Sequence, residues 1–307
     1  MSQKPRPKLI GVKPDAVKPR KPKILIFGPS GVGKTWFSLD FPDVYYIDSE
    51  GGATQPEYVA KLRDVGGMYL GPAEGAASFD TVLDQVRALA AGGHDRKTLV
   101  IDSITKLFAN EIAREAERLN DAGKRNEFGA DKRPAVGYMR SLVSWLVRLD
   151  MNVILVAGEV SEWGTDSQGA RGEIGKTFDC WPRLEYELDL ALQIVRTGNT
   201  RTARVRKSRI AAFPQAGMFP FAYHEFAGRY GEATIQSDVT PVDLATDEQV
   251  AEVRRLLEIV KIDEKTVEKW LSSADAAAWE EMPGVRIAGA IDYLRKQVAS
   301  AAGTETL

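Results

Sequence analysis

The sequence predicts an α/β protein with a mainly parallel central sheet, followed by a small all-helical C-terminal domain. Two observations support this fold class. Short apolar runs bounded by polar residues, glycine or proline recur along the first 240 residues, and segments with helical spacing separate them. Strands that alternate with helices favour a parallel sheet covered on both faces. After residue 240 only helical patterns remain.

The predicted strands are short and strongly apolar. They are residues 23–27, 44–48, 98–102, 152–157, 188–195 and 202–206, with more polar alternation in the last two. The clearest helix has an apolar stripe formed by Met139, Leu142, Val143, Leu146 and Leu149. In the C-terminal part, Thr246 is predicted to cap one helix and Pro283 to begin another.

These patterns divide the chain into three parts. We expect a disordered basic arm at residues 1–22, an α/β domain at 23–240 and a helical domain at 241–302. The first 23 residues hold eight Lys or Arg, five Pro and a single acid. Such a segment cannot bury apolar surface, so it either contacts phosphates or stays solvated.

Composition excludes several classes of protein. The single cysteine, Cys180, excludes an internal disulfide, and the two histidines lack metal-ligand spacing. A net charge of −2 argues against a globally basic nucleic-acid binder. Because the sequence contains neither an 18-residue apolar run nor the apolar region of a signal peptide, we expect a cytoplasmic protein without membrane contact.

A phosphate-binding loop follows the first predicted strand. It consists of Gly28, Pro29, Ser30, Gly31, Val32, Gly33, Lys34 and Thr35, which fit the pattern G-x-x-x-x-G-K-[ST]. Glycines let the backbone N–H groups surround phosphate oxygens, the lysine reaches the β and γ phosphates, and the hydroxyl can ligate magnesium. The motif predicts that ATP and Mg²⁺ bind here.

Two further strands end in carboxylates that such a site requires. The run "TLVIDS" ends in Asp102, which we predict to be the second magnesium ligand beside Thr35. The run "YYIDSEGG" ends in Asp48 and Glu50. Because it follows a phosphate-loop strand and precedes the "TLVIDS" strand, we predict that Glu50 is the general base and that Asp48 supports the site from behind, without contacting the nucleotide.

These motifs resemble those of the RecA/RadA recombinase family, and especially the phage-encoded RecA-like ATPases grouped with single-strand annealing proteins (the Sak group). "YYIDSEGG" is similar to the family strand whose glutamate activates the attacking water, and "LVIDS" to its Walker B strand. The resemblance covers roughly residues 23–225. It implies a RecA-like P-loop NTPase fold, Mg²⁺-dependent ATP hydrolysis and self-assembly into a ring or filament.

Two other segments bear on this resemblance. "RVRKSRIAAFP" is similar to the family's K-x-[KR] segment, which implies that Lys207 and Arg209 act in trans on a neighbour's ATP. The alternative is a solvated strand edge that carries cations. After "VILVA" the family has a Gln or His phosphate sensor, whereas this chain has Gly158-Glu159, so the sensor is unassigned.

Two stretches, residues 120–137 and 160–184, interrupt the alternation and are expected to be irregular. They fall where RecA-like proteins carry loops that bind single-stranded DNA. The candidate DNA-binding residues are Lys132, Arg133, Trp163, Arg171 and Lys176, since cations follow a phosphate backbone and aromatic rings stack on bases. Trp181 fits either base stacking or the core.

The leading hypothesis is an ATPase that binds single-stranded DNA and promotes annealing or strand pairing. Its expected partners are single-stranded DNA and further copies of itself, and the resemblance leaves open a single-strand-binding protein or another recombination protein. It also implies a phage-encoded protein in a bacterial cytoplasm. Two alternatives remain: a nucleotide kinase, because the loop is also similar to that of guanylate kinases, and an annealing module in which ATP binding only controls assembly.

Overall fold

The computed structural model describes residues 13, 19–124, 129–165, 169, 171–274 and 276–304. Most of the predicted basic arm, residues 1–12 and 14–18, lies outside the described residues. So do residues 125–128 of the first stretch predicted to be irregular, and residues 166–168 and 170 of the second. No helix in the described part of the chain is long and apolar enough to cross a lipid bilayer.

Strands and helices alternate along the described residues up to about residue 121, as the sequence predicts. The strands are β1 (Lys23–Phe27), β2 (Val44–Asp48), β3 (Met68–Leu70), β4 (Thr98–Asp102), β5 (Asn152–Ala157), β6 (Glu159–Thr165), β7 (Arg171–Phe178), β8 (Leu190–Thr197), β9 (Thr200–Ser208) and β10 (Met218–Pro220). The helices are α1 (Lys34–Ser38), α2 (Pro56–Asp64), α3 (Phe79–Ala91), α4 (Ile104–Asp121), α5 (Lys132–Arg148), α6 (Leu184–Glu187), α7 (Tyr223–Tyr230), α8 (Glu232–Gln236), α9 (Asp247–Val260), α10 (Glu264–Ser273) and α11 (Gly284–Thr304).

Eight strands form the central sheet in the order β10-β9-β8-β1-β5-β4-β2-β3. The six strands from β8 to β3 are parallel, and β9 and β10 add antiparallel strands at one edge. The predicted α/β class with a mainly parallel sheet is therefore confirmed. Because parallel strands end at the same edge, the segments that follow β1, β2, β4 and β5 meet there.

Apolar side chains cover both faces of this sheet. On one face α3, α4 and α5 pack through residues such as Phe79, Leu107 and Trp145. On the other face Phe37, Phe213 and Phe226 belong to a cluster formed with α1 and α7. Strands β1, β2, β4 and β5 are buried along their whole length, which explains their continuous apolar sequence.

The C-terminal residues are helical, as expected. Thr246 caps α9, where its hydroxyl accepts from the Gln249 N–H and the Gln249 side chain accepts from the Thr246 N–H. Helix α11 follows Pro283, and its Ile287 and Leu294 pack in a cluster with α9. That residues 241–302 form a separate domain remains a prediction.

The two stretches expected to be irregular contain regular structure, so that expectation was wrong for most of their described residues. Strands β6 and β7 form an antiparallel hairpin, with a register shift at Glu162/Trp163. This bulge and the glycines of the hairpin hide the alternation that would have predicted strands. Lys132 and Arg133 lie in the first turn of α5 rather than in a loop, because that helix begins about two turns before Met139, the first residue of its apolar stripe.

Candidate functional site

The predicted phosphate loop connects β1 to α1 at the carboxyl edge of the sheet. Gly28 has no room for a side chain, since a Cβ there would lie 2.6 Å from the Ile194 carbonyl oxygen, whereas a Cβ on Gly33 would meet only the mobile end of the Arg201 side chain. Gly33 also has a φ of 93°, which a side chain rarely allows. Packing and backbone conformation together require glycine at these loop positions.

Lys34 lies over this loop, and its ammonium donates to the carbonyl oxygens of Gly28 at 2.8 Å and Pro29 at 2.9 Å. Burial lowers the pKa of Lys34, and the carboxylates of Asp102, Glu159 and Glu50 oppose that shift. These three acids come from the ends of three different elements. The lysine is therefore surrounded by negative charge at the carboxyl edge of the sheet.

Asp102 ends β4 and is buried, with 9% of its surface exposed. Its Oδ2 accepts from the Thr35 hydroxyl at 2.5 Å and from the Tyr46 hydroxyl at 2.8 Å. Burial raises the pKa of Asp102, while these two hydrogen bonds act in the opposite direction. The two residues predicted to bind magnesium are thus in direct contact.

Glu50 follows β2, and its carboxylate accepts a hydrogen bond from the Ser103 hydroxyl. Ser103 is also the N-cap of α4, where its Oγ accepts from the Lys106 N–H. Ser49 donates to the Ser103 carbonyl oxygen at 2.8 Å and accepts from the Ser103 N–H at 2.9 Å. The end of β2, which carries the predicted base, is therefore tied to the end of β4.

Asp48 holds the loop that carries Glu50. Its carboxylate accepts from the backbone N–H groups of Glu50 at 3.1 Å, Gly51 at 2.7 Å and Ala53 at 2.8 Å. The Tyr69 hydroxyl also donates to Asp48, at 3.1 Å. Asp48 has 1% of its surface exposed, so it shapes the turn and does not face the cavity.

These elements enclose a cavity of about 380 Å³. Its lining residues are Gly28, Pro29, Ser30, Gly31, Gly33, Lys34, Thr35, Glu50, Tyr58, Asp102, Ser103, Val156, Ala157, Gly158 and Glu159. Val32, the remaining residue of the predicted loop, packs into the core instead. The cavity thus brings together the phosphate loop, the predicted base and the predicted metal ligands.

Magnesium bound with a nucleotide fits the oxygens of this cavity. Among the described residues no group of three His, Cys, Asp or Glu side chains is placed to hold a metal ion by itself. Mg²⁺ at phosphate sites needs only one or two carboxylates, because phosphate oxygens and water complete its shell. Thr35 and Asp102 supply a hydroxyl and a carboxylate that meet these requirements.

Glu159 lies at the start of β6 and lines the same cavity, in the region where the family resemblance places a sensor. The hairpin that it begins is fixed at its base by Thr105. That residue donates to the Asp179 carbonyl oxygen at 2.5 Å and accepts from the Gly158 N–H at 3.0 Å. Glu159 therefore places a carboxylate where the wall of the cavity meets the base of the hairpin.

Lys207 and Arg209 do not reach the cavity of their own chain. Lys207 pairs with Ala191, beside Leu25 in the middle of β1, but its ammonium donates to the Leu188 carbonyl oxygen, toward the amino end of that strand. Arg209 donates its N–H to the Asp189 carbonyl oxygen at the same end, whereas the phosphate loop follows the carboxyl end of β1. Burial, and then the charge of Arg209, lower the pKa of Lys207.

The candidate DNA-binding residues fall on two separate elements. The hairpin presents Trp163, 64% exposed, together with Arg171 and Lys176. Lys176 forms an ion pair with Glu173 at 2.7 Å. Lys132 and Arg133 are exposed at the start of α5. Trp181 is buried, which shows that it packs in the core and is not available to stack on a base.

Three residues of this site were not identified from the sequence. Tyr58 lines the cavity from α2, Ser103 holds Glu50, and Tyr46 holds Asp102. Ser103 was visible as part of "IDS", and Tyr46 as the residue two positions before Asp48. Their roles depend on the register between β2 and β4, which the sequence does not specify.

Comparisons with known proteins found one family model and a similar solved structure. Residues 20–213 match the family model AAA_24, described as an AAA domain. The crystal structure of the RadB recombinase is similar, with a TM-score of 0.44 and 18% identity, over 65% of this chain and 86% of that one. No curated protein matches the sequence.

Proposed function

The chain belongs to the AAA domain family, and we propose that it is a DNA-dependent recombination ATPase that hydrolyses ATP with Mg²⁺. The observation that carries the proposal is the convergence of Lys34, Thr35, Asp102 and Glu50 on one cavity. Each type of group that phosphoryl transfer requires is present: a cation, metal-binding oxygens and a base.

Different residues of the cavity bind the phosphates, hold the cation and accept the proton during hydrolysis. The backbone N–H groups of the loop and the Lys34 ammonium bind phosphate oxygens, and Thr35 and Asp102 hold the cation. Bound Mg²⁺ neutralises charge on the phosphates. Glu50 takes the proton of the attacking water, and Ser103 orients its carboxylate through the hydrogen bond to Oε1, which leaves Oε2 to accept that proton.

Charge at the cavity supports a contribution from a second copy of the chain. Lys34 faces three carboxylates, and bound ATP adds further negative charge. Lys207 and Arg209 lie too far away to offset this charge in their own chain. We propose that they reach the cavity of a neighbouring subunit, which would make hydrolysis depend on assembly into a ring or filament.

Mixed subunits test that contribution. A Lys207→Ala variant and a Glu50→Gln variant, each inactive alone, should together recover part of the activity, because some interfaces then combine an intact base with an intact cation. Mixing Lys207→Ala with Arg209→Ala is the matched control, since neither subunit supplies the full cation pair and little recovery is expected. Absence of recovery in the first mixture would remove the trans role.

We further propose that the hairpin β6–β7 binds single-stranded DNA and that ATP binding and DNA binding influence each other. Trp163 can stack on a base, and Arg171 and Lys176 can contact phosphates. The hairpin begins at Glu159, a residue of the cavity wall, so its base and the nucleotide site are adjacent. Annealing or strand pairing is the reaction that such an ATPase serves.

One assay tests the proposed function. ATP hydrolysis by the parent protein should rise when single-stranded DNA is added, and Lys34→Ala should abolish hydrolysis with and without DNA. Phosphate transfer to a nucleoside monophosphate would indicate a nucleotide kinase instead. DNA binding that requires ATP but proceeds without turnover would favour an annealing module, which the acidic Glu159 at the cavity wall makes the second candidate.

A further inference from the structure

Tyr46 lies directly beneath the predicted metal-binding acid. In the pairing of β2 with β4, Asp48 is opposite Asp102 and Tyr46 is opposite Val100, so Tyr46 and Asp102 share one face of the sheet. Tyr46 is 1% exposed, and its hydroxyl donates to Asp102 Oδ2 at 2.8 Å. It does not line the cavity, so it contacts Asp102 from the protein interior.

Packing fixes the position of this hydroxyl. The Tyr46 ring stacks on Tyr69, with centroids 6.3 Å apart and an interplanar angle of 17°. Tyr69 donates to Asp48, which holds the Glu50 loop. Two stacked tyrosines on neighbouring strands therefore hold the two acids that shape the site, and only one of these acids faces the cavity.

Asp102 needs such a donor because it is buried. A carboxylate removed from water loses its hydration and depends on hydrogen bonds from the protein. Thr35 supplies one of them, but its hydroxyl also faces the cavity and is itself a candidate metal ligand. The Tyr46 hydroxyl lies in the protein interior, away from the cavity, so it donates to Asp102 without being a candidate metal ligand itself.

We propose that Tyr46 is a positioning residue for the Mg²⁺ site, whose hydroxyl holds Asp102 in the orientation that binds the cation. This inference rests on the proposed function, because it requires that the cavity bind Mg²⁺ together with a nucleotide. The Tyr46 hydroxyl interacts with the side chains of Asp102 and Thr35, which are the two predicted Mg²⁺ ligands. Loss of the hydroxyl therefore affects the Mg²⁺-dependent part of nucleotide binding and leaves the remainder intact.

Binding of a fluorescent, non-hydrolysable ATP analogue tests the inference without measuring turnover. Its Kd is measured in EDTA and across a Mg²⁺ titration for the parent and for Tyr46→Phe. We expect the Kd in EDTA to stay within about twofold, while the Mg²⁺ concentration at half-effect rises on the order of tenfold, as for loss of one hydrogen bond to a charged group. Tyr45→Phe is the matched control, since Tyr45 donates to Gln85 instead and no change in Mg²⁺ dependence is expected.

The outcomes separate this inference from the proposed function. If the parent shows no Mg²⁺ dependence, the proposed metal site itself fails. If nucleotide binding by the parent and by Tyr46→Phe depends on Mg²⁺ concentration in the same way, the positioning role of Tyr46 is wrong. The same conclusion follows if Tyr46→Phe weakens nucleotide binding by the same factor in EDTA and in Mg²⁺. Should Tyr46→Phe fail to fold, 3-fluorotyrosine at position 46 keeps the hydroxyl as a stronger donor. It should lower the Mg²⁺ half-point, and an unchanged half-point would overturn the inference.

Discussion

Replacing Gly28 with alanine should damage the phosphate loop through a clash that the protein cannot easily relieve. The added Cβ would lie 2.6 Å from the carbonyl oxygen of Ile194, and that oxygen belongs to the backbone of β8. Ordinary contacts of a Cβ begin near 3.4 Å, so the loop or the strand must move by almost 1 Å. Overpacking of this kind costs about 1–3 kcal/mol.

The assay combines chemical denaturation with nucleotide binding. We expect Gly28→Ala to lower the free energy of unfolding by about 1–3 kcal/mol. The Kd for ATP should rise at least tenfold, because displaced N–H groups no longer converge on the phosphates. Gly137→Ala is the matched control, since nothing lies within 4 Å of its Cβ and α5 is helical there, so stability should increase by roughly 0.5–1 kcal/mol. Unchanged stability and nucleotide affinity in Gly28→Ala would show that the loop does not pack against β8 in this way.

Three further changes should act at separate places. Trp163→Ala should weaken binding of single-stranded DNA by about 1–3 kcal/mol in fluorescence anisotropy, whereas Tyr293→Ala, an exposed aromatic residue of α11, should leave it unchanged. Glu281→Gln removes the 2.6 Å ion pair with Arg87, and thermal unfolding should reveal a loss between the ~1 kcal/mol of an exposed pair and the ~3 kcal/mol of a buried one. A loss insensitive to salt would fit the buried position of Glu281. Thr246→Ala should cost about 1 kcal/mol through its lost cap, without an effect on ATP affinity, and a large fall in ATP affinity would contradict the separation of this helix from the site.

The sequence predicts best those elements in which burial or nearby residues permit only one type of residue or one local structure. Strands buried on both faces give unbroken apolar runs, and the phosphate loop requires glycines at positions that close packing and positive φ explain. Thr246 was predictable because a cap depends on neighbours only three residues away. In all three cases, interactions within a short segment leave a pattern that can be recognised in the sequence.

Elements that depend on distant contacts were not predictable. Strands β3 and β10 have three residues each and lie at the sheet edges, so their sequences carry little pattern. The hairpin was hidden by its glycines and its bulge. Tyr46 and Ser103 gain their roles from partners more than 50 residues away, through the pairing of β2 with β4.

Glu50 is the residue on which the proposed hydrolysis of ATP most depends. The most direct measurement is ATP turnover by Glu50→Gln with saturating single-stranded DNA, alongside its Kd for ATP. Glutamine keeps the size of the side chain and can still accept from Ser103, but it cannot take a proton from water. We predict that turnover falls at least a hundredfold while the Kd stays within about threefold, as expected for loss of a general base. Turnover equal to that of the parent, at unchanged affinity, would contradict the assignment of Glu50 and with it the proposed mechanism.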